Sequence, residues 1–590
     1  MGKVLLRILA VVGALVIFCG VIGFAVVVLF KAGKRSVPTK TILEVDLEHE
    51  IIEDVPDDPF ATFALKDTPV MRDVVEALEK AADDDRVVGL VARLGAAPLG
   101  MAQIQELRNA VIAFRAKKKP AVAFSETFGE FGPGGGAYYL ATAFDEIWLQ
   151  PSGDVGLTGV ILESPFLRGS LDKLGVKPRM DHRREYKNAM NFYTDKKYDP
   201  YHREAMEKLM NSWFSQMAKG ISESRHLSED QVKGLVDKGP FLGKEAQELG
   251  LVDGMAYRDE VYARMKKKVG EGAKFLYLED YFKRRGRPHE QGKTIALIYG
   301  IGAVARGDGG YSPLSGEEVM GAGHVTAAFR AATKDSAVKA IVFRVDSPGG
   351  SYVASDAIWR ETLRAKKAGK PVIVTMGNLA GSGGYFVAMA ADKIVAQPGT
   401  ITASIGVLGG KMLTSGLWDK VGLSWDEVHT SSNSTFWTGT HDYSPAEWSR
   451  FQAWLDRVYE DFTSKVAEGR RLPKDKVLEI AKGRIWTGED AKGLGLVDEL
   501  GGFPEALRLA KQAAKIPEKE EVNLKVYPPK RTPFQMLFEE GPPSSEPEEA
   551  AVAALAKGVK EIQPYLRRIR MLVAAADAGV LTMPPMEARP

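Results

Sequence analysis

The chain has 590 residues, 45% hydrophobic and 26% charged, a composition typical of a globular protein with two to four domains. Its 79 Lys and Arg residues nearly balance 77 Asp and Glu residues, and the net charge of +2 argues against nucleic acid as a partner. A single cysteine, Cys19, and eight histidines without metal-binding spacing exclude an intramolecular disulfide and a cysteine-based zinc site, so no metal ion or cofactor is expected.

The first predicted element is an uncharged apolar segment from Ile8 to Phe30. At about 1.5 Å per residue, a helix of this length is sufficient to cross a bilayer core. A secretory signal peptide is the alternative, but its apolar region is usually about 7–15 residues long, and no Ala-x-Ala-like cleavage site follows Phe30. Because basic residues flank the segment on both sides, they leave its orientation open. We therefore predict an uncleaved membrane anchor within residues 1–36.

The rest of the chain contains an internal duplication, recognised from short motifs that recur at a nearly constant distance. The recurring pairs include Lys40-Thr41-Ile42 with Lys293-Thr294-Ile295 (293 − 40 = 253) and Gly250-Leu251-Val252-Asp253 with Gly495-Leu496-Val497-Asp498 (495 − 250 = 245). Short loop insertions and deletions produce such a drift in the offset. We predict a first repeat over residues 37–282, a linker at 283–293 and a second repeat over 294–527.

Within each repeat, short β-branched segments alternate with helical patterns. In the second repeat, Thr294–Tyr299, Ala340–Val345 and Pro371–Thr375 are typical of buried strands. The segment Val353–Lys367 is typical of a helix, and a longer helix with an apolar stripe begins near Pro445. This alternation predicts an α/β fold with a mostly parallel sheet in each repeat.

Residues 528–590 are predicted to form a separate tail. The segment Gly541–Glu549 is rich in Pro and Glu and is typical of a linker, and an Ala-rich amphipathic helix is predicted at about Ala550–Ala576. The sequence assigns no function to this tail.

Two glycine-rich motifs mark a candidate site in the second repeat. Val345-Asp-Ser-Pro-Gly-Gly-Ser351 lies at the end of one predicted strand, and Ala380-Gly-Ser-Gly-Gly-Tyr385 follows the next. Glycine lets a ligand approach the backbone, and the first turn of a helix offers unpaired N–H groups to a developing negative charge. Ser382, flanked by two glycines, is placed like a nucleophile at a strand-to-helix turn. Either motif alone is more often a simple tight turn.

The two repeats differ in sequence at this motif. At an offset of 247 residues, Ser382 aligns with Gly135 (382 − 135 = 247), whereas Tyr385 aligns with Tyr138. The turn is kept in the first repeat and the hydroxyl is missing. A concentrated loss of this kind favours a nucleophile in the second repeat, although neutral drift is an alternative explanation.

A serine hydroxyl needs a group that accepts its proton, and a histidine, a lysine or an N-terminal amine can do so. The histidines of the second repeat, His324, His429 and His441, lie outside any recognisable triad motif. A lysine can serve if burial lowers its pKa, because removal from water disfavours the ammonium ion. The residues alone do not select one lysine.

Four motifs together resemble the signal peptide peptidase A family in its long, duplicated, membrane-anchored form. They are Asp346–Ser351, Ala380–Tyr385, Pro398–Gly406 and Glu185–Ala189. The resemblance covers about residues 40–515. It implies a tandem duplication of the ClpP/crotonase fold and a serine protease with a Ser-Lys dyad.

The resemblance implies a role for each site residue. Ser382 would be the nucleophile, and Lys187, supplied by the first repeat, would be the general base. Ser404 would be the hydroxyl that holds the lysine amine.

The resemblance further implies an oxyanion hole formed by the N–H of Gly383 with that of Gly349 or Gly350. Asp346 stands where the short members of the family often have Asn. Its charge would favour the protonated lysine and raise the lysine pKa.

The expected substrates are hydrophobic peptides, chiefly signal peptides that remain in the membrane after their release from preproteins. The resemblance also implies a homo-oligomer, a tetramer, anchored through its N-terminal helix in the lipid of a bacterial inner membrane, with the catalytic domains facing the periplasm. Two alternatives stay open: a catalytically silent membrane scaffold of the same fold, and a crotonase-like acyl-CoA enzyme.

Overall fold

The protein is described from a computed structural model. It describes residues 36–95, 97–312 and 315–529, together with the short segments 581–582 and 587–589. The predicted anchor at Ile8–Phe30, the predicted linker at Gly541–Glu549 and the predicted helix at Ala550–Ala576 lie outside these residues. Within the described ranges, no helix combines the length and the apolar character that a membrane span needs.

The first repeat is built on a six-stranded parallel sheet. The strands of the first repeat in chain order, including those outside this sheet, are β1 (Thr41–Leu47), β2 (Val87–Leu94), β3 (Ala121–Ser125), β4 (Glu146–Leu149), β5 (Asp154–Val155), β6 (Ile161–Glu163), β7 (Lys177–His182), β8 (Phe241–Leu242), β9 (Gly254–Met255) and β10 (Lys274–Tyr277). The spatial order of the sheet is β10-β1-β2-β3-β4-β9, and every adjacent pair is parallel.

Helices connect these strands, as a parallel sheet requires. They are α1 (Pro59–Ala64), α2 (Met71–Ala82), α3 (Met101–Arg115), α4 (Gly135–Ala141), α5 (Arg168–Leu174), α6 (Asn191–Thr194), α7 (Pro200–Arg225), α8 (Glu229–Val236), α9 (Gly243–Glu248), α10 (Arg258–Val269) and α11 (Leu278–Arg285), with a short 3₁₀ helix at Asn188–Met190. Their apolar faces and the sheet enclose a buried core that includes Phe114, Tyr138 and Trp213.

The second repeat is built on an eight-stranded sheet. The strands of the second repeat in chain order, including those outside this sheet, are β11 (Lys293–Ile301), β12 (Ala303–Ala305), β13 (Gly309–Ser312), β14 (Glu317–Gly321), β15 (Val338–Ser347), β16 (Gly349–Gly350), β17 (Val372–Gly381), β18 (Lys393–Ala396), β19 (Ile401–Ala403), β20 (Leu408–Leu413), β21 (Ile485–Thr487), β22 (Glu499–Leu500) and β23 (Val522–Val526). Its helices are α12 (Ala322–Lys334), α13 (Tyr352–Lys367), α14 (Gly383–Ala388), α15 (Ser415–Lys420), α16 (Pro445–Arg470), α17 (Lys474–Ile480), α18 (Gly488–Gly493) and α19 (Phe503–Ala513).

The two sheets have the same strand order. In the second repeat the parallel path β23-β11-β15-β17-β18-β22 corresponds strand for strand to β10-β1-β2-β3-β4-β9. In addition, β19 pairs with β17 and carries β21 at its edge. The α/β fold and the duplication predicted from the sequence are therefore confirmed.

Equivalent hydrogen bonds within each repeat support the same correspondence. The hydroxyl of Tyr138 donates to the carbonyl of Leu251 at 2.7 Å, and that of Tyr385 donates to the carbonyl of Leu496 at 2.9 Å. Each bond joins the helix after the glycine turn to the motif Gly-Leu-Val-Asp near the end of the repeat. The helix α4 or α14 is thereby fixed against its sheet in the same way.

Several helices and strands are longer in the structure than the sequence predicted. Strand β15 begins at Val338 and ends at Ser347, two residues beyond the predicted strand at each end. Helix α11 ends at Arg285 and β11 begins at Lys293, so the residues connecting the repeats are 286–292. On α16 the predicted apolar stripe is confirmed, with Phe451, Leu455, Val458 and Phe462 buried in the core.

Two contacts between the repeats position the site. Strand β7 of the first repeat pairs with β20 of the second in an antiparallel two-stranded sheet. Elsewhere in the interface, the buried side chain of Arg344 forms ion pairs of 2.8 Å with both Glu53 and Glu106 of the first repeat. The C-terminal segments pair as further short strands, β24 (Leu581–Thr582) with β16 and β25 (Glu587–Arg589) with β6.

Candidate active site

Ser382 occupies the turn between strand β17 and helix α14. Its backbone dihedrals, φ 54° and ψ −112°, are unusual for a residue other than glycine. The N–H of Ser382 donates to the carbonyl of Ala403 at 2.6 Å, which ties this turn to the adjacent strand β19. Strained backbone of this kind persists only where the surrounding structure enforces it, and it is concentrated at functional sites.

Lys187 reaches this turn from the first repeat. It precedes the 3₁₀ helix Asn188–Met190, and its Nζ lies 2.7 Å from the Oγ of Ser382. Both side chains are fully buried, with exposed fractions of 0%. The two side chains therefore meet within one chain, although each comes from a different repeat.

Ser404 holds the lysine amine through two atoms. The Nζ of Lys187 lies 3.0 Å from the Oγ of Ser404 and 3.0 Å from its carbonyl oxygen. Ala403 and Ser404 both have positive φ, 65° and 52°, which turns this segment toward the lysine. The structure thus brings together the three side chains that the sequence analysis assigned to the dyad and its support.

Burial controls the protonation of the lysine. It lowers the pKa of Lys187 well below its ordinary value, because an ammonium ion loses its hydration in this site. Neutral lysine is a competent proton acceptor, whereas the ammonium form is not.

The expected effect of Asp346 on the lysine is corrected by the structure. Burial is the only cause that shifts the pKa of Lys187, and Asp346 does not contribute. The carboxyl group of Asp346 instead accepts a 3.0 Å hydrogen bond from the N–H of Leu379. Burial, and next the charge of Glu53, raise the pKa of Asp346 to about 7.

The three glycines predicted for the oxyanion hole lie beside Ser382. A Cβ at Gly383 would lie 2.9 Å from the backbone N of Gly350 and 3.1 Å from the Cα of Gly349. The N–H of Gly349 donates to the Oγ of Ser347 at 3.2 Å. Because these residues carry no side chain, the turn after Ser382 and the Gly349-Gly350 segment lie close together.

The segment Lys482–Arg484 of the second repeat lies against the lysine and is not among the site residues predicted from the sequence. A Cβ at Gly483 would lie 2.6 Å from the Cβ of Lys187. The duplication contained a signal for it, because Lys482-Gly483 matches Lys238-Gly239 of the first repeat at an offset of 244 (482 − 238). Only the folded chain shows what this glycine contacts.

The histidines of the second repeat lie away from the dyad. His429 and His441 are half-exposed and pair with the carboxylate of Glu427, and His324 is exposed. The described part of the chain contains no group of three or more residues suited to bind a metal ion.

The chain matches known proteins over most of its length. The sequence model of Peptidase family S49 matches residues 113–271 and 364–517, one segment in each repeat. Protease 4 of Salmonella typhi is 33% identical over 484 residues, covering 79% of this chain and 75% of that protein. Protease 4 of Haemophilus influenzae is 31% identical, covering 75% of this chain and 72% of that protein.

A plant relative and a solved structure are also similar. The chloroplastic serine protease SPPA of Arabidopsis thaliana is 32% identical over 460 residues, and the chain spans 66% of its length. A mutant of ClpP1 from Listeria monocytogenes aligns with 36% of this chain and 94% of that structure at 17% identity, with a TM-score of 0.23. On the family match and the two bacterial relatives, this chain belongs to peptidase family S49 and is a serine protease.

Proposed function

We propose that this protein is a membrane-anchored endopeptidase in which Ser382 and Lys187 form a catalytic dyad. The observation that carries the proposal is the 2.7 Å distance between Lys187 Nζ and Ser382 Oγ at a fully buried position. Burial lowers the pKa of the lysine, so that a neutral amine stands beside the alcohol. Such a pair can activate a serine without a histidine.

In the first step, neutral Lys187 accepts the proton of the Ser382 hydroxyl while the Oγ attacks a peptide carbonyl carbon. The carbonyl oxygen becomes an oxyanion and accepts hydrogen bonds from backbone N–H groups. Gly383 supplies one donor. The second donor is the N–H of Gly349 or Gly350; in the structure the N–H of Gly349 donates to Ser347, and strand β24 pairs with both glycines.

In the second step, the peptide C–N bond breaks, and the ammonium of Lys187 returns its proton to the leaving amine. The product is an acyl-enzyme ester on Ser382 and a free peptide. Lys187, neutral again, then accepts a proton from water while the water oxygen attacks the ester carbonyl carbon. The C–O bond to Ser382 Oγ breaks, the ammonium of Lys187 returns its proton to Oγ, and the second peptide leaves with a new carboxyl group. Ser404 keeps the amine aimed at the serine throughout, through its Oγ and its carbonyl oxygen.

The substrate class and the location follow from the resemblance to the signal peptide peptidase A family. Hydrophobic peptides, chiefly signal peptides after their release from preproteins, are the proposed substrates. The predicted helix at Ile8–Phe30 would hold the protein in the lipid of a bacterial inner membrane, with the repeats in the periplasm. A homotetramer is the proposed assembly.

Peptide hydrolysis tests this proposal. The full-length protein in detergent micelles is incubated with a synthetic signal peptide, with a charged peptide of equal length, and with an acyl-CoA thioester. We expect cleavage of the signal peptide, much slower cleavage of the charged peptide, and loss of both in Ser382→Ala. Hydrolysis of the thioester alone would favour the acyl-CoA enzyme, and no turnover of any compound would favour the silent scaffold.

A further inference from the structure

The segment Lys482–Arg484 joins the two stretches of chain that meet at the lysine amine. On one side the N–H of Tyr186 donates to the carbonyl of Lys482 at 3.0 Å. On the other side the N–H of Ser404 donates to the carbonyl of Arg484 at 2.9 Å. One short segment of the second repeat therefore holds the residue before the general base and the serine that orients it.

Gly483 makes the closest approach to the general base. A Cβ at this position would lie 2.6 Å from both the Cβ and the backbone N of Lys187, and 2.7 Å from its Cα. Real Cβ atoms essentially never approach other atoms so closely, so a side chain here must displace the lysine. Gly483 also has φ of +78°, a conformation that glycine adopts without strain.

A second glycine borders the lysine side chain. A Cβ at Gly406 would lie 3.1 Å from the Cδ of Lys187 and 2.8 Å from the Cα of Gly483. The lysine side chain thus lies against two glycines of the second repeat. Their missing side chains determine how near the lysine backbone can come to Ser382.

The outer end of the segment is fastened to the first repeat. Arg484 forms a 2.8 Å ion pair with Glu204, and the hydroxyl of Tyr186 donates to the same carboxylate at 2.8 Å. The guanidinium of Arg484 also lies 4.7 Å above the ring of Tyr186. These contacts keep Gly483 pressed against the residue that follows Tyr186, the lysine itself.

We propose that Gly483 is a positioning residue for the general base: its contact with the Lys187 backbone sets the distance between the lysine amine and the Ser382 hydroxyl. The inference rests on the proposed function, because it assigns a role through the dyad. In Gly483→Ala, the added methyl group moves Lys187 outward, separates Nζ from Oγ and admits water to the amine. The lysine then binds its proton more tightly at neutral pH.

The test compares Gly483→Ala with Gly369→Ala in the full-length protein. Gly369 has nearly the same φ, +77°, and no atom lies within 4 Å of a Cβ built there. The two variants therefore share the backbone strain and differ in the contact with Lys187. The readouts are kcat and KM for a signal peptide and the pH dependence of kcat.

For Gly483→Ala we expect kcat at neutral pH to fall about 10²-fold with KM little changed, as small displacements of reacting groups produce. Its pH profile should move to higher pH, with partial recovery of activity in alkaline buffer. Gly369→Ala should keep the wild-type profile. A Gly483→Ala enzyme with the profile and kcat of Gly369→Ala would overturn the inference.

If Gly483→Ala does not fold, Gly406→Ala serves as the test variant. Gly406 lies outside the left-handed region of backbone conformation, and the methyl group added there contacts the same lysine. An alkaline shift supports the inference, and an unchanged profile overturns it. Failure of the proposed function is distinguished by Lys187→Met, since full activity in that variant removes the lysine from the mechanism altogether.

Discussion

Lys187 and Ser382 are 195 residues apart in the chain, yet their Nζ and Oγ atoms are in hydrogen-bonding contact at 2.7 Å. Each residue belongs to a different copy of the same fold, and the equivalent of Ser382 in the first repeat is Gly135. Neither repeat contains both members of the pair. The duplicated chain therefore forms one site from two repeats.

The pH dependence of activity follows from the lowered pKa of Lys187. Catalysis needs the neutral amine, so kcat should rise as the pH passes upward through the lysine pKa in the enzyme–substrate complex. Because burial lowers this pKa well below 10.5, the rise should be complete well before the pH at which free lysine titrates. A steady-state pH profile of kcat measures it, and a rise that continues to pH 10 and above would contradict the assignment.

The stability of the protein should depend on the same group. The folded-state pKa of Lys187 is lower than its unfolded value, so between these two values the unfolded chain binds more protons and stability rises with pH. Lys187→Met removes this dependence and fills the same buried volume. We expect the variant to melt at a higher temperature than the wild type near pH 6, with a difference that shrinks toward pH 10.

Thermal melts over this pH range give the measurement, and Lys267→Met, at an exposed position on α10, is the matched control. A constant difference between Lys187→Met and the wild type at every pH would show that Lys187 titrates alike in the folded and unfolded states.

Ser404→Ala tests the support of the amine. The variant removes the Oγ that lies 3.0 Å from Lys187 Nζ and leaves the carbonyl contact of 3.0 Å in place. We expect kcat to fall roughly tenfold, the equivalent of about 1.4 kcal/mol, with KM unchanged. Initial rates over a range of substrate concentrations separate the two constants. A rise in KM at constant kcat would place Ser404 in substrate binding instead.

Asp346→Asn tests the half-buried carboxyl group near the repeat interface. Its folded-state pKa of about 7 lies above the unfolded value of 3.8, so the folded chain binds more protons in this window and stability falls as the pH rises through it. An asparagine mimics the neutral form and still accepts from the N–H of Leu379.

We expect Asp346→Asn to raise the melting temperature more at pH 8 than at pH 4, as thermal melts at both values would show. Asp335→Asn is a useful comparison, because interactions with Tyr527 and the N–H of Ala337 lower the pKa of that surface carboxyl group instead. An equal effect of Asp346→Asn at both pH values would refute the raised pKa.

Much of the fold could be predicted from local sequence. Buried strands such as β15 and β17 are apolar over most of their length, and the recurrence of motifs such as Gly-Leu-Val-Asp is enough to indicate the duplication. Ser382 could also be identified as a candidate nucleophile from the sequence, since it differs from Gly135 inside an otherwise similar turn. These features depend on residues that are close together in the chain or repeated along it.

The partners of Ser382 could not be derived from sequence patterns. Lys187 is one of many lysines, and its burial depends on contacts with the second repeat, so only the resemblance to a known family singled it out. The family resemblance did not point to Gly483. The influence of Asp346 was expected to reach the lysine, but it depends on a distance that the sequence does not contain.

The reactivity of Ser382 toward a fluorophosphonate probe tests the central claim most directly, because the probe needs an activated serine and not a bound peptide. The wild-type protein should label on Ser382, as peptide mass spectrometry would locate. Lys187→Met should label at least about 10²-fold more slowly, the usual contribution of a general base. Labelling of Ser382 at the wild-type rate in Lys187→Met would contradict activation of the serine by the lysine of the first repeat.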